Sequence, residues 1–251
     1  MPIDVEAYTS GSQRARVLTE SWIANNGYCP QCGCTLERAP NNARAHDFSC
    51  ATCSQKFELK SKRGTFGPTL PDGAYAAMIG AIRSSLAPNF FLLSYQLPFA
   101  IDQLFILPRR FIVEPIVIKR PPLGPHARRA GWIGCNINLS LVPRSAWVPY
   151  IEAGVAQPRD AVFAAWQKTI AFESIADSGE RGWLAVTLAL VEKLRRPAFC
   201  LADLYQFEPL LSTLFPRNHH IRPKLRQQLQ RLRDMGLLQF LGRGQYLLSG
   251  N

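Results

Sequence analysis

At 251 residues the chain has room for one large domain or for a medium domain plus a small one, and 47% hydrophobic residues are enough to build a core. A formal net charge of +11, with a sequence pI near 9.6, argues against an enzyme of small metabolites and for a polyanionic partner, nucleic acid or an anionic membrane surface. No apolar run approaches the ~20 residues that span a bilayer, and Met1-Pro2-Ile3-Asp4-Val5-Glu6 lacks the layout of a signal peptide, so the expectation is a cytoplasmic protein that binds nucleic acid and no membrane.

The charge is uneven along the chain. Residues 1–182 carry 19 Lys/Arg against 14 Asp/Glu, and residues 183–251 carry 10 against 4. The densely basic last quarter points to a separate binding module.

Thr9 to Asn25 has the spacing of an amphipathic helix, with Ala15, Leu18, Trp22 and Ile23 near one face and Ser12 or Thr9 as a start. Glu20 lies on it, either as an auxiliary acid for a neighbouring site or as a solvated surface residue. Asn26-Gly27 ends the helix. Cys29-Pro30-Gln31-Cys32 follows, and 17 residues separate this pair from Cys50 and Cys53. Two Cys-x-x-Cys turns without a secretory signal read as a four-thiolate zinc site rather than a disulfide framework. Cys34 is surplus and could compete for the metal, while Cys135 and Cys200 suit a core. Thr35 to Arg44 is polar and reads as a loop.

The stretch from Ala45 to Arg63 reads as two short strands and a turn near Thr52. Phe57 and Leu59 alternate with Glu58 and Lys60, so one face buries the first pair and presents the second. A hairpin turning there brings Asp47 opposite Glu58. Two carboxylates and a lysine converging on one spot suit a divalent cation and a phosphate. Ser61-Lys62-Arg63-Gly64 is suited to phosphate contacts.

Asp72 to Ser85 has helical spacing with Asp72 as its cap, and Asn89 to Tyr95 and Leu104 to Leu107 are short apolar runs typical of buried strands. Phe111 to Ile118 adds an extended segment. Lys119 to Gly134 holds three prolines and three glycines, which oppose regular structure. With Arg120, Arg128, Arg129 and Trp132 it reads as a loop laid along nucleic acid. Gln157 to Ile175 looks helical, and Asp177-Ser178-Gly179 begins a break. The expected division is a domain over 1–180 and a second over 181–251.

From Trp183 onward the pattern is three helices and a hairpin. Trp183 to Leu194 is apolar, Leu201 to Phe215 carries Pro209 near a start or kink, and a third helix runs from His220 to Met235 with Gly236 as its stop. Ile221, Leu225, Leu229 and Leu232 form its buried stripe, leaving Arg226, Gln227 and Gln230 outward. Two strands flank Gly242-Arg243-Gly244. This is the outline of a winged helix, whose third helix enters the major groove. Gln227 suits adenine, Arg226 suits guanine or phosphate, and Asn218, His219 and His220 stand beside them for phosphate or bases.

Several runs carry a resemblance that covers nearly the whole chain: Ala15 through Glu20, Phe57-Glu58-Leu59-Lys60-Ser61-Lys62, Asp72 through Ala76, Ala127 through Ile137, and Ile221 through Asp234. The sequence resembles the DpnI group of methyl-directed type II restriction endonucleases, within the PD-(D/E)xK superfamily. The resemblance implies an α/β mixed-sheet core with an inserted zinc site and a C-terminal winged helix. It implies blunt, Mg²⁺-dependent cleavage of double-stranded DNA at G-A-T-C, between adenine and thymine, when the adenine carries an N6-methyl group. By position it assigns catalysis to Asp47, Glu58 and Lys60, and zinc to Cys29, Cys32, Cys50 and Cys53. Trp132 matches an aromatic placed to contact the methyl groups. His46, not proline, precedes Asp47. The enzyme is expected to be monomeric in solution. A zinc-containing winged-helix regulator without catalysis and a repair or recombination nuclease are the competing readings.

Overall fold

The computed structural model describes residues 10–40 and 46–249; Thr9 and Ala45, at the ends of two expected elements, lie outside them. In chain order the elements are α1 (Gly11–Asn26), β1 (Glu37–Arg38), β2 (Phe48–Ser49), β3 (Lys56–Arg63), β4 (Thr69–Ala74), α2 (Tyr75–Arg83), β5 (Asn89–Gln96), β6 (Ala100–Leu107), β7 (Val117–Lys119), β8 (Gly134–Asn138), β9 (Val148–Glu152) and β10 (Val155–Ala156). They continue with α3 (Arg159–Thr169), α4 (Ser178–Lys193), β11 (Ala198–Cys200), α5 (Glu208–Leu214), α6 (Ile221–Asp234), β12 (Leu238–Gly242) and β13 (Gln245–Leu248). The chain packs as two compact units, one of residues 1–66, 86–109 and 147–170, the other of residues 67–85, 110–146 and 171–251. The class is mixed α/β with a C-terminal helical module.

The first unit is a seven-stranded mixed sheet in the order β1-β2-β3-β5-β6-β9-β10, in which only β3 and β5 run parallel. Asn89 through Ser94 is buried along its whole length, so β5 reads as an unbroken apolar run because neither of its faces meets water. Phe57 stacks on Phe91 with ring centroids 4.9 Å apart. These rings share a core with Ile23 of α1, Trp166 of α3 and Tyr150 of β9. Helix α1 starts at Gly11 with Ser10 at its N-cap position, so Ser12 lies inside the helix, and it buries Thr19 with Ile23; Thr19 takes the inward place because its hydroxyl is satisfied by the Ala15 carbonyl at 2.8 Å. The polar segment after the first cysteine turn is not wholly a loop, since β1 pairs antiparallel with β2.

The second unit contains two three-stranded sheets, β4-β8-β7 and β11-β13-β12. Asp72 is not a helix cap. It lies in β4, opposite Cys135 of β8, and α2 starts only at Tyr75, whose N–H donates to the Ile133 carbonyl at 3.1 Å. Pairing with β8 has overridden the helical period that includes Ala74. Asp177-Ser178-Gly179 opens a helix instead of breaking one: Asp177 Oδ1 accepts the Glu180 N–H at 2.6 Å. Helix α4 is buried at every position from Arg181 to Val191, as a helix apolar on all sides must be. Trp183 on it stacks on Phe215, centroids 3.8 Å apart.

The second helix of the module splits into a 3₁₀ segment, Leu201–Phe207, and α5, with Pro209 in its first turn. There the missing N–H costs nothing. Helix α6 buries Ile221, Leu225, Leu229 and Leu232, and Gly236 follows at φ +76°. The hairpin has an additional strand, β11, paired with β13.

Candidate active site and DNA-facing surfaces

The hairpin register is Phe48↔Phe57 and Ser49↔Lys56. One step further out the Asp47 N–H donates to the Phe57 carbonyl at 2.8 Å, and Asp47 Oδ2 accepts the Leu59 N–H at 2.7 Å. Asp47 therefore stands across from Glu58 and is anchored to the backbone of the strand that carries it. Glu58 and Lys60 share a face of β3 because the side-chain period is two, and Lys60 Nζ meets Glu58 Oε1 at 2.5 Å. Both side chains are largely enclosed, at 14% and 24% exposure for Lys60 and Glu58. Phe90 of β5, the register partner of Glu58, lies 5.3 Å from the Lys60 ammonium.

Helix α1 contributes charge here. Arg16 binds Glu20 at 2.5 Å, and its pKa is raised above the ordinary arginine value by the hydrogen bond and charge of Glu20, then by the charge of Asp47. Glu20 is thus engaged with Arg16, a residue whose part the sequence pattern did not signal; its place one turn before Glu20 on the helix was the available hint. Lys62 and Arg63 extend β3 beyond Lys60 and are exposed.

The two cysteine turns repeat one backbone design. Cys29 N–H donates to the Cys34 carbonyl and Gly33 N–H to the Cys29 carbonyl; in the second turn Cys50 N–H donates to the Gln55 carbonyl and Ser54 N–H to the Cys50 carbonyl. Both turns put their fifth residue in the left-handed region, Gly33 at φ +78° and Ser54 at φ +59°. Cys29 Sγ lies 3.4 Å from Cys53 Sγ, and Cys32 Sγ lies 3.4 Å from Cys50 Sγ. All four ligand atoms fall within 4.8 Å of one another, the one such group among the described residues. Four sulfurs tetrahedrally around zinc would sit about 3.8 Å apart, so the cluster fits a metal such as zinc with a small expansion.

Desolvation of the sulfur inside the cluster, helped by the Cys50 and Cys53 thiols, pushes Cys32 up to about 12, although the residue as a whole is exposed. Cys50 falls to about 7: burial opposes this, but N–H groups of Cys53 and Thr52 and the Cys32 thiol outweigh it. Cys34 stands outside the four and accepts the Thr52 hydroxyl at 3.1 Å. Cys135 is buried as expected; Cys200 is half-buried and caps the segment that follows it.

Comparison with protein families matches residues 3–175 to the Dam-replacing family, DpnI, and residues 179–247 to the Dam-replacing HTH domain, DpnI_C. The chain belongs to the DpnI family. It is a methyl-directed restriction endonuclease with a C-terminal helix-turn-helix domain, and DNA is its partner. No helix among the described residues is long and apolar enough to cross a membrane.

In this DpnI-like protein the remaining expected DNA residues, beyond Lys62 and Arg63 of β3, fall on two surfaces of the second unit. On α6, Arg226, Gln227 and Gln230 are exposed, and Asn218, His219, His220 and Gln227 line a concavity of about 530 Å³. Arg217 and Lys224 line it too. Lys224 Nζ donates to Gln227 Oε1 at 2.8 Å; its position one turn before Gln227 could have flagged it. Arg222 and Arg231 are committed within the module, to Glu208 at 2.9 Å and Glu180 at 3.0 Å. Arg243 tips the wing at φ +48° and is exposed.

The second surface is the β7–β8 connection, which is more ordered than its prolines and glycines suggest. Leu123 N–H donates to the Trp132 carbonyl and Gly131 N–H to the Leu123 carbonyl, both at 2.9 Å. Arg128 and Arg129 are exposed and Trp132 is half-buried, with the Arg129 and Arg120 guanidiniums 4.9 Å and 5.5 Å from the Trp132 ring centroid. Arg120 is not a free surface charge: its Nη2 donates to the Asp72 carbonyl at 3.0 Å.

Proposed function

We propose that this enzyme cleaves double-stranded DNA at G-A-T-C bearing N6-methyladenine, cutting bluntly between methyladenine and thymine and leaving 5′-phosphate and 3′-hydroxyl ends. Residues 1–180 would act as the nuclease domain and residues 181–251 as a DNA reader, in a monomeric cytoplasmic protein. The observation that carries the reading is the register that sets Asp47 across from Glu58, with Lys60 two residues on.

The donor set suits a small hard cation: Asp47 and Glu58 would hold Mg²⁺, with the Leu59 carbonyl beside them. Bound there, the ion supplies neutralisation of charge on the phosphate and a lowered pKa for water. Lys60 would release Glu58 and turn its Nζ to orient the attacking water and help remove its proton. Arg16, drawn toward both Glu20 and Asp47, keeps the acids from facing uncompensated charge before DNA arrives. Lys62 and Arg63 would meet the backbone. The four cysteines would hold zinc as a structural ion.

Trp132 would bury the methyl group, a gain of roughly 1 kcal/mol per methyl by area, so selectivity depends on how well the pocket is shaped. On the reader, Gln227 would address adenine and Arg226 guanine or phosphate, with Asn218, His219, His220, Gln230, Arg128, Arg129 and Arg243 adding contacts. The test is incubation with plasmid from methylating and non-methylating hosts, with and without Mg²⁺. Discrete fragments from methylated DNA alone, and only with Mg²⁺, are expected. Cutting of both plasmids would indicate a relaxed or repair nuclease, and no cutting a non-catalytic regulator.

A further inference from the structure

Arg120 occupies space made for it. A Cβ built on Gly134 would lie 2.0 Å from Arg120 Nη2 and 2.6 Å from its Cζ, so only glycine leaves the guanidinium its seat. The Arg120 N–H donates to the Gly134 carbonyl at 2.9 Å, and the side chain folds back over the same residue. From there Nη2 reaches the Asp72 carbonyl and the guanidinium plane approaches the Trp132 ring. Arg120 Nε is buried without a hydrogen-bond partner among the described residues. Burying an unpaired N–H is unfavourable, so this placement is maintained by the Asp72 bond and the contact with the indole. A side chain whose task was to meet phosphate would be turned outward, as Arg128 is.

We propose that Arg120 is a positioning residue for methyl recognition: seated over Gly134 and tied to the β4 backbone, it holds the Trp132 indole in the orientation that meets the methylated base. This rests on the assignment of Trp132 to methyl contact. A lysine would keep the charge but lose the flat stacking surface, so the proposal is specific to the guanidinium.

The test measures kcat/KM on otherwise identical duplexes, methylated and unmethylated, for the full-length protein and for Arg120→Met, Arg120→Lys, Gly134→Ala, Trp132→Ala and the Arg120→Met/Trp132→Ala double variant. Both Arg120 variants and Gly134→Ala are expected to lower the methylated-to-unmethylated ratio about fivefold, the scale of one solvent-accessible cation–π contact. Arg120→Met should add nothing once Trp132 is alanine. An unchanged ratio in the Arg120 and Gly134 variants, with the ratio lost in Trp132→Ala, overturns the proposal and leaves Trp132 standing. An unchanged ratio in Trp132→Ala overturns the assignment of Trp132 itself. If Arg120→Met fails to fold, Gly134→Ala still decides, because it displaces only the far end of a flexible side chain.

Discussion

Tyr150→Phe removes one oxygen from the junction between the sheet and the first cysteine turn. The Tyr150 hydroxyl accepts the Tyr28 N–H at 2.7 Å and donates to the Tyr28 carbonyl at 3.1 Å, so it closes both backbone groups of the residue before Cys29. Tyr28 and Tyr150 are 6% and 4% exposed, and no water replaces the oxygen without space being made for it. Phenylalanine keeps the ring packing, including the 4.4 Å approach of the two rings. The loss is then that of a buried N–H left without an acceptor, about 2 kcal/mol within the usual range of roughly 1–3.

The same oxygen predicts a pH dependence. Burial holds the Tyr150 phenol well above its ordinary value, against the Tyr28 backbone bond that pulls it down. The folded state thus retains a proton that the unfolded state gives up near pH 10. The stabilisation is whole below that pH and is lost as pH rises toward the folded value, at up to about 1.4 kcal/mol per pH unit. Wild type should lose its lead over Tyr150→Phe within about 1.5 pH units above pH 10. The assay is urea unfolding of zinc-loaded protein followed by metal release to a colorimetric chelator, at neutral and alkaline pH. A midpoint shift corresponding to under about 0.5 kcal/mol at neutral pH, or a gap that widens above pH 10, would refute this account.

Lys60→Ala should reduce cleavage of methylated plasmid below detection while leaving the affinity for methylated duplex in a gel shift within about threefold, since the reader is untouched. Removing the metal by chelation, or Cys32→Ser, should abolish stoichiometric zinc by elemental analysis and cleavage even after Mg²⁺ is restored in excess, while α6-dependent DNA binding persists. Asp203→Ala should cost about 1 kcal/mol at neutral pH by the usual worth of a cap, read by thermal melting. Asp203 takes the Cys200 N–H at 2.7 Å and pairs with Arg196, which together hold its pKa below the ordinary carboxylate value. Its contribution is complete above about pH 4 and is lost as pH falls through the folded value, so the difference between Asp203→Ala and wild type should shrink in acid.

The hairpin was legible because alternation and turn position together determine register: a turn centred at residues 52–53 puts Asp47 and Glu58 opposite one another whatever surrounds them. The same holds for α6, whose leucine stripe and terminal glycine lie within one segment. Asp72 was misread because helical spacing from Ala74 onward looks the same whether or not the preceding residues have a strand to pair with. The partner, β8, lies about 60 residues downstream, beyond any local pattern. Asp177 shows the converse: an Asp-Ser-Gly run marks a break and a helix start equally well, and only the Glu180 N–H it accepts decides. Arg120 reads from sequence as one more charge on a loop laid along nucleic acid, because its seat depends on an absent side chain on Gly134.

The register of the hairpin gives a metal held by the four cysteines a part to play at the proposed active site. Strand β2 is two residues long and a hairpin that short is marginal alone. A slip of one residue would turn Asp47 to the face opposite Glu58 and Lys60. The backbone bonds from Cys50 to Gln55 and from Ser54 to Cys50 shape the turn, but they move with it if it slides. The thiols of Cys50 and Cys53 do not, once bound with Cys29 and Cys32 to a common ion, because the first turn is fastened to Tyr150 of β9 through Tyr28. A metal bound there would tie the sliding end of the hairpin to a strand that cannot slide with it. At the proposed site it would act on catalysis by holding Asp47 and Glu58 in register.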